Sequence, residues 1–229
     1  MTSRGKFITF EGLDGCGKST QLERLAGTLR AQGLAVVVTR EPGGTETGEK
    51  IRKLLLDTRT AGLDPMAELA LMFASRAQHI AEVILPGVQA GQIVLCDRFT
   101  DSSEAYQGGG RKLGSKPVLE LHRVLCGNLQ PDLTILMDSD VGASVERARR
   151  RNSARSGSGA ADEGRFESEN RAFFTRVRNA YLEIAKREPE RVVLVDARGT
   201  PDQTQAKIWD VVSTRVGLHT SSKKAQNVR

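Results

Sequence analysis

Residues Phe7 to Thr20 read Phe-Ile-Thr-Phe-Glu-Gly-Leu-Asp-Gly-Cys-Gly-Lys-Ser-Thr. An apolar run stops at Glu11, and Gly12, Gly17, Lys18 and Ser19 then complete the pattern G-x-x-x-x-G-K-[ST]. Nothing else in the chain restricts the fold as tightly. The pattern works where a buried strand turns through a glycine curl into a helix. The curl points successive backbone N–H groups inward as an anion nest, and the helix start adds partial positive charge. The flanks agree: Ser19 to Gln32 places Leu22, Leu25, Ala26 and Leu29 on one helical face, and Gly33 ends it. Gly12, Leu13, Asp14, Gly15, Cys16, Gly17, Lys18, Ser19 and Thr20 are therefore expected to cradle the polyphosphate of a nucleotide. Lys18 would reach its β and γ phosphates, and the Ser19 hydroxyl would ligate Mg²⁺.

The rest of the chain repeats the strand–helix rhythm. Continuous apolar runs occur at Phe7 to Phe10, Ala35 to Thr39, Ile93 to Cys96, Leu133 to Met137 and Val192 to Val195. Unbroken runs of this kind suit strands buried on both faces of a parallel sheet. Helical periods fill Met66 to Gln89 (bent near Pro86), Lys116 to Leu125, Asp140 to Arg151, Phe173 to Arg187 and Asp202 to Val216. The expected fold is α/β: a P-loop NTPase-type three-layer sandwich with a five-stranded parallel sheet flanked by helices. Residues 1–217 form one domain, with a mobile lid at about 147–167, where arginines bracket a small-residue stretch. Residues 218–229 have no apolar period and read as a disordered tail.

Bulk properties narrow the partners. No run approaches the roughly eighteen apolar residues of a membrane span, and the N-terminus has no signal-peptide pattern. A cytoplasmic location and no membrane partner are expected. Cys16, Cys96 and Cys126 show no metal-ligand spacing and suit no disulfide framework. The net charge of +6 favours anionic partners. Aromatic content of only 4% gives no stacking platform, so no nucleic acid is expected.

A phosphate loop alone does not name a reaction. The second strand ends in Thr39-Arg-Glu-Pro-Gly-Gly-Thr45, and the third in Leu95-Cys-Asp-Arg-Phe99. Both lie at the strand edge where open α/β sheets bind ligands. Asp97 is placed to act on Mg²⁺ or its waters. Arg98 can grip an acceptor phosphate with two N–H groups. Ser102 to Arg111 adds hydroxyls, an amide and three glycines. Phe73 and Arg76 share a helical face and are candidates to stack on and hydrogen-bond a base, with core packing the competing reading for Phe73.

Together, E-G-x-x-G-x-G-K-S, T-R-E-P-G-G-T, D-R-F and A-Y-Q-G-G-G-R resemble bacterial thymidylate kinase, in that family's order, from about Lys6 to about Val216. The resemblance implies transfer of the ATP γ-phosphoryl group to dTMP, giving dTDP and ADP on the route to dTTP, and so identifies the nucleotide on Gly12 to Thr20 as ATP. It implies Mg²⁺, held by Ser19 and Asp97 partly through water, and a homodimer packed through helices. The catalytic set it implies is Lys18, Glu41, Asp97, Arg98, Arg151 and Arg165. For dTMP it implies Glu41 near the sugar, Phe73 on thymine, Arg76 on its carbonyl edge, Arg98 on the phosphate, and Ser103, Tyr106 and Gln107 around the nucleoside. The chain departs from the family pattern in a longer lid with a Ser153–Ala161 insert, in Gly164-Arg165 for Asp-Arg, and in Glu104 for the commoner Gln.

One component is missing from the loop. Phosphoryl transfer spreads charge over the equatorial oxygens, and an arginine there is worth about 10³ to 10⁵ in rate. Leu13, Asp14, Gly15 and Cys16 supply none, so the resemblance is to the branch that brings it from the lid. Arg147 and Arg151 lie one helical turn apart, and Arg151 matches the lid position. Kinases of dUMP, a deoxynucleoside or shikimate, and a nucleic-acid-binding ATPase, are the rival readings.

Overall fold

In the computed structural model of the chain, the described residues are 4–60, 62–156, 164–166 and 168–217, the side chains of 153–156 excepted. The expectations for the insert beyond residue 156 and for the tail lie outside them. In order, the elements are β1 (Lys6–Gly12), α1 (Lys18–Ala31), β2 (Val36–Arg40), α2 (Glu46–Leu56), α3 (Pro65–His79), α4 (Leu85–Gln89) and β3 (Ile93–Asp97). Then follow α5 (Thr100–Ser103), α6 (Ser115–Leu125), β4 (Leu133–Asp138), α7 (Val141–Ser156), α8 (Arg171–Arg187), β5 (Val192–Asp196) and α9 (Pro201–Arg215). The five strands form one parallel sheet in the order β2-β3-β1-β4-β5. Each expected strand is present within a residue or two of its sequence bounds.

Two regions differ from the sequence reading. α2 was not anticipated; Thr45 caps it by accepting from Gly48 N, and Glu46 and Glu49 occupy its first turn. The long stretch to Gln89 is divided. A π-helical segment, Ile80–Ile84, joins α3 to α4 with helical backbone throughout, and Pro86, which has no N–H to give the preceding turn, follows just after that segment. A second π-helical segment, Glu104–Gly110, continues α5 and carries the Ala-Tyr-Gln-Gly-Gly-Gly stretch.

The period of two along β1 divides the core. Ile8 and Phe10 face α1 and α9, where Leu22, Leu25, Leu29, Ile208 and Val212 are buried. Phe7 faces the other layer, with Leu69, Phe73 and Phe99. Thr9 and Glu11 share that second face and are fully buried. The Thr9 hydroxyl satisfies itself on the Thr134 hydroxyl of β4 at 2.8 Å. Glu11, at the end of the strand, reaches the candidate site. The β ladder also runs past the strand ends, with Arg98 N bonded to Phe10 O and Glu41 N to Asp97 O, both at 2.9 Å. The C-terminal ends of β2, β3 and β1 are thereby fixed side by side.

Leu25 is fully buried between α1 and the sheet. Leu25→Ala is expected to lower unfolding stability by about 2–5 kcal/mol, measured as a shifted urea midpoint with an unchanged m-value.

Candidate active site

The phosphate loop closes between β1 and α1. Gly12, Gly15 and Gly17 hold φ of +133°, +79° and +101°, the left-handed region that glycine enters without strain. Lys18 is buried and folds back over the loop, its Nζ donating to Leu13 O at 2.9 Å and Gly12 O at 3.1 Å. Ser19 Oγ donates to Asp97 Oδ2 at 2.7 Å. A hydroxyl and a carboxylate in contact beside an anion nest are the oxygen donors a hard divalent cation takes, and they fit Mg²⁺. Leu13 and Cys16 turn their side chains into the core, so only their backbone is available to a phosphate.

Beside the loop a cavity of roughly 750 Å³, measured out to its open mouth, is lined by residues from seven separate stretches of chain. Arg98 forms one wall. Its backbone is left-handed, φ +77°, an uncommon conformation for a residue with a side chain. Its guanidinium donates to Asp14 at 2.7 Å, Ser102 at 2.9 Å, and the Tyr106 and Tyr181 hydroxyls at 3.1 Å. Tyr106 OH also donates to Asp14 at 2.9 Å. The Asp14 side chain therefore belongs to this cavity rather than to the ATP phosphates, which a carboxylate would repel. The Arg98 charge holds the Asp14 carboxyl well below the usual range against the effect of its burial.

Glu11 sits beneath Arg98 and was not singled out from sequence. Its carboxylate accepts from Phe99 N at 2.7 Å, Ser102 Oγ at 2.5 Å and Tyr181 OH at 2.9 Å. Burial, helped by the nearby Asp101 charge, pushes its pKa up to about 7. The alternation of β1, which puts position 11 on the Phe7 face, was the signal that could have found it.

Glu41 also lines the cavity. Its two oxygens accept from Arg76 Nε at 2.7 Å and contact His79 Nδ1 at 2.9 Å. The resemblance placed it against a sugar and a metal; here the carboxylate is occupied in holding Arg76. Arg76 is almost fully buried, donates to Ser103 Oγ at 2.9 Å and Phe99 O at 3.1 Å, and lies over the Phe73 ring with Cζ 4.6 Å from its centroid. Its NH1 is buried without a hydrogen-bond partner among the described residues. Phe73 has no accessible surface and packs in the core with Leu69 and Phe99, so it is not placed to stack on a base. The preceding residue, Met72, lines the cavity instead. The spacing of three to Arg76 was right, but the shared side of Phe73 is the one turned to the sheet.

Arg165 also requires correction. The resemblance made it catalytic, but it is 3% exposed, with Nε donating to Leu55 O at 2.5 Å and NH2 2.7 Å from Glu68. Arg151, on α7, does line the cavity, and so does Asn152, whose Nδ2 is buried without a partner among the described residues. Arg147, one turn earlier, donates from Nε to Gly15 O at 2.8 Å. Ser103, Tyr106 and Gln107 line the cavity. Glu104 does not; it is buried and paired with Arg187 through two bonds of 2.7 and 2.8 Å. A charged group at that position is thus matched by a cation on α8.

A family model described as thymidylate kinase matches residues 10–208. The chain is 48% identical over 212 residues to a thymidylate kinase of Trichlorobacter lovleyi, covering 93% of this chain and 99% of that one. It is 50% identical over 204 residues to a thymidylate kinase of Pseudomonas syringae pv. tomato, covering 89% and 93%. The crystal structure of thymidylate kinase from Ehrlichia chaffeensis superposes with a TM-score of 0.71 at 32% identity, covering 91% of this chain and 99% of that one.

The raised pKa of Glu11 has a signed consequence. A carboxyl near 7 in the folded chain and near its ordinary 4.5 when unfolded binds more protons in the folded state between those values. Stability contributed by this group therefore falls as pH rises through that window. Glu11→Gln removes the titration. Urea unfolding from pH 4.5 to 7 should show a flatter profile for the variant, by at most about 1.4 kcal/mol per pH unit. Parallel profiles would show that Glu11 does not titrate there.

Proposed function

The chain belongs to the thymidylate kinase family, and from that premise we propose which residues carry its reaction. That reaction is transfer of the γ-phosphoryl group of ATP to dTMP, giving dTDP and ADP. We assign the phosphate loop, from Gly12 to Thr20, to ATP and the neighbouring cavity to dTMP. The observation that carries the second assignment is the unpartnered NH1 of Arg76. A buried guanidinium N–H without an acceptor is costly, and a pyrimidine carbonyl in this cavity would satisfy it.

In this reading Arg98 takes the dTMP phosphate with the donors it now shares among Asp14 and three hydroxyls. Ser103, Tyr106 and Gln107 line the nucleoside side, and Met72 takes the surface assigned from sequence to Phe73. Glu41 is a positioning residue, acting through Arg76. Lys18 faces the transferred group once its Nζ leaves the loop carbonyls. Ser19 and Asp97 would hold Mg²⁺, which when bound neutralises charge on the β and γ oxygens. Arg151 is the arginine that meets the charge spread over the equatorial oxygens.

A homodimer is supported by exposed apolar side chains on α6: Leu119, Val124 and Leu125. We also place the enzyme in the cytoplasm; no described helix is long and apolar enough to cross a membrane.

Three outcomes are expected. Arg151→Ala should lower kcat about 10³-fold or more with little change in the KM for dTMP; an unchanged kcat would move the role to Arg147. Met72→Trp, which fills the cavity floor, should raise the KM for dTMP by at least about tenfold, for a loss of roughly 1.4 kcal/mol of binding, and leave that for ATP alone. Without dTMP, ATP hydrolysis should be slow, because water is a poor occupant of a site built for a positioned acceptor; rapid hydrolysis in a steady-state assay would count against the assignment.

A further inference from the structure

Glu68 has no assigned part in the reaction, yet it is fully buried in the first turn of α3. A buried carboxylate is costly unless it is paired and hydrogen-bonded. Here the partners come from two other segments. Gln107 Nε2 donates to it at 2.7 Å, Arg165 NH2 lies at 2.7 Å and Arg111 NH2 at 3.2 Å. Two of these partners bear on the cavity. Gln107 lines it directly, with 1% of its surface exposed. Arg165 lies over the ring of its neighbour Phe166, Cζ 4.5 Å from the centroid. Phe166 also lines the cavity and meets Tyr106 edge-on at 5.9 Å.

We propose that Glu68 is a positioning residue that sets which base the acceptor cavity takes, by fixing the facing of the Gln107 amide and seating Phe166 through Arg165. The inference rests on the assignment of this cavity to dTMP. An ionised carboxylate only accepts hydrogen bonds. Gln107 must therefore turn its nitrogen toward Glu68, and its Oε1 is the acceptor left for a ligand. A pyrimidine-2,4-dione carries N3–H and supplies the matching donor. Cytosine N3 carries no proton, so its lone pair would meet the lone pairs of Oε1. Discrimination of this kind, against a base that leaves a buried polar group unpaired, is the strong kind.

Glu68→Gln removes the constraint, because an amide can accept or donate and Gln107 can then face either way. With the full-length enzyme, kcat/KM is measured for dTMP and dCMP, together with the KM for ATP. The dTMP-to-dCMP ratio should fall at least tenfold, while the KM for ATP stays within twofold. Glu68→Asp keeps the charge for both arginines but draws the carboxylate back from Gln107. It should show the same direction of change, and serves if Glu68→Gln does not fold. An unchanged ratio in a folded variant overturns the proposal. So does a parallel rise in the KM for ATP, which would mark a general loss of structure. If Met72→Trp leaves the KM for dTMP unchanged, the cavity assignment fails and this inference fails with it. If Met72→Trp raises that KM while the Glu68 variants keep the ratio, only the role of Glu68 is overturned.

Discussion

The hydrogen bond from Arg98 N to Phe10 O fixes the end of β3 against the end of β1, and both phosphate sites depend on it. Asp97 and Arg98 are adjacent in sequence but serve opposite sides. Asp97 meets Ser19 at the phosphate loop, and Arg98 meets Asp14 and Tyr106 in the cavity. The positive φ of Arg98 makes this possible, because it breaks the strand geometry at the residue where the chain changes sites. Such a conformation costs about 1–3 kcal/mol and persists only where its surroundings over-determine it. Here they do: Glu11 holds the following N–H, of Phe99, and Ser102 and Tyr181 bond both Glu11 and the Arg98 guanidinium.

Three buried glutamates organise the site, and each is stabilised differently. Glu11 relies on a backbone N–H and two hydroxyls, with no cation in direct contact among the described residues, and burial raises its pKa. Glu41 has Arg76 and His79, which hold its carboxyl below the ordinary value despite burial. Glu68 has two arginines and an amide. Each fixes a residue that lines the cavity: Arg98, Arg76 and Gln107 respectively. The polar core beneath the cavity is thus a second layer that determines where the donors above it point.

The sheet and the phosphate loop were legible because they rest on local patterns: unbroken apolar runs, glycines at left-handed positions, and a strand-to-helix transition. α2 is marked in the sequence only at its start, by Thr45, Glu46 and Glu49 directly after the T-R-E-P-G-G-T turn. The errors in the site share one cause. Phe73 and Arg165 were each assigned by residue type and position, but which way a side chain faces is decided by packing across the fold. Phe73 turned to the sheet, and Arg165 to Glu68 on a helix almost a hundred residues earlier. Glu11 and Glu68 escaped notice for the same reason, since their partners are distant in sequence.

The packing of α7 bears on why the phosphate loop carries no arginine. A side chain atom added at Gly15 would lie 2.2 Å from Ser144 O and 3.0 Å from Ala148 N, and φ there is +79°. The loop and the first turns of α7 are in direct contact, leaving no space for a residue larger than glycine at that point. The same contact carries the compensation. Arg147 bonds Gly15 O from α7, and one turn further along the helix Arg151 lines the cavity. The helix that excludes a side chain from the loop is therefore the one that brings a cation to the boundary between the two sites. A shift of α7 relative to Gly15 would move Arg151 as well, since both ride on one helix. The proposed catalytic arginine is thus referenced to the loop that binds the donor, although it is contributed by a segment more than a hundred residues away.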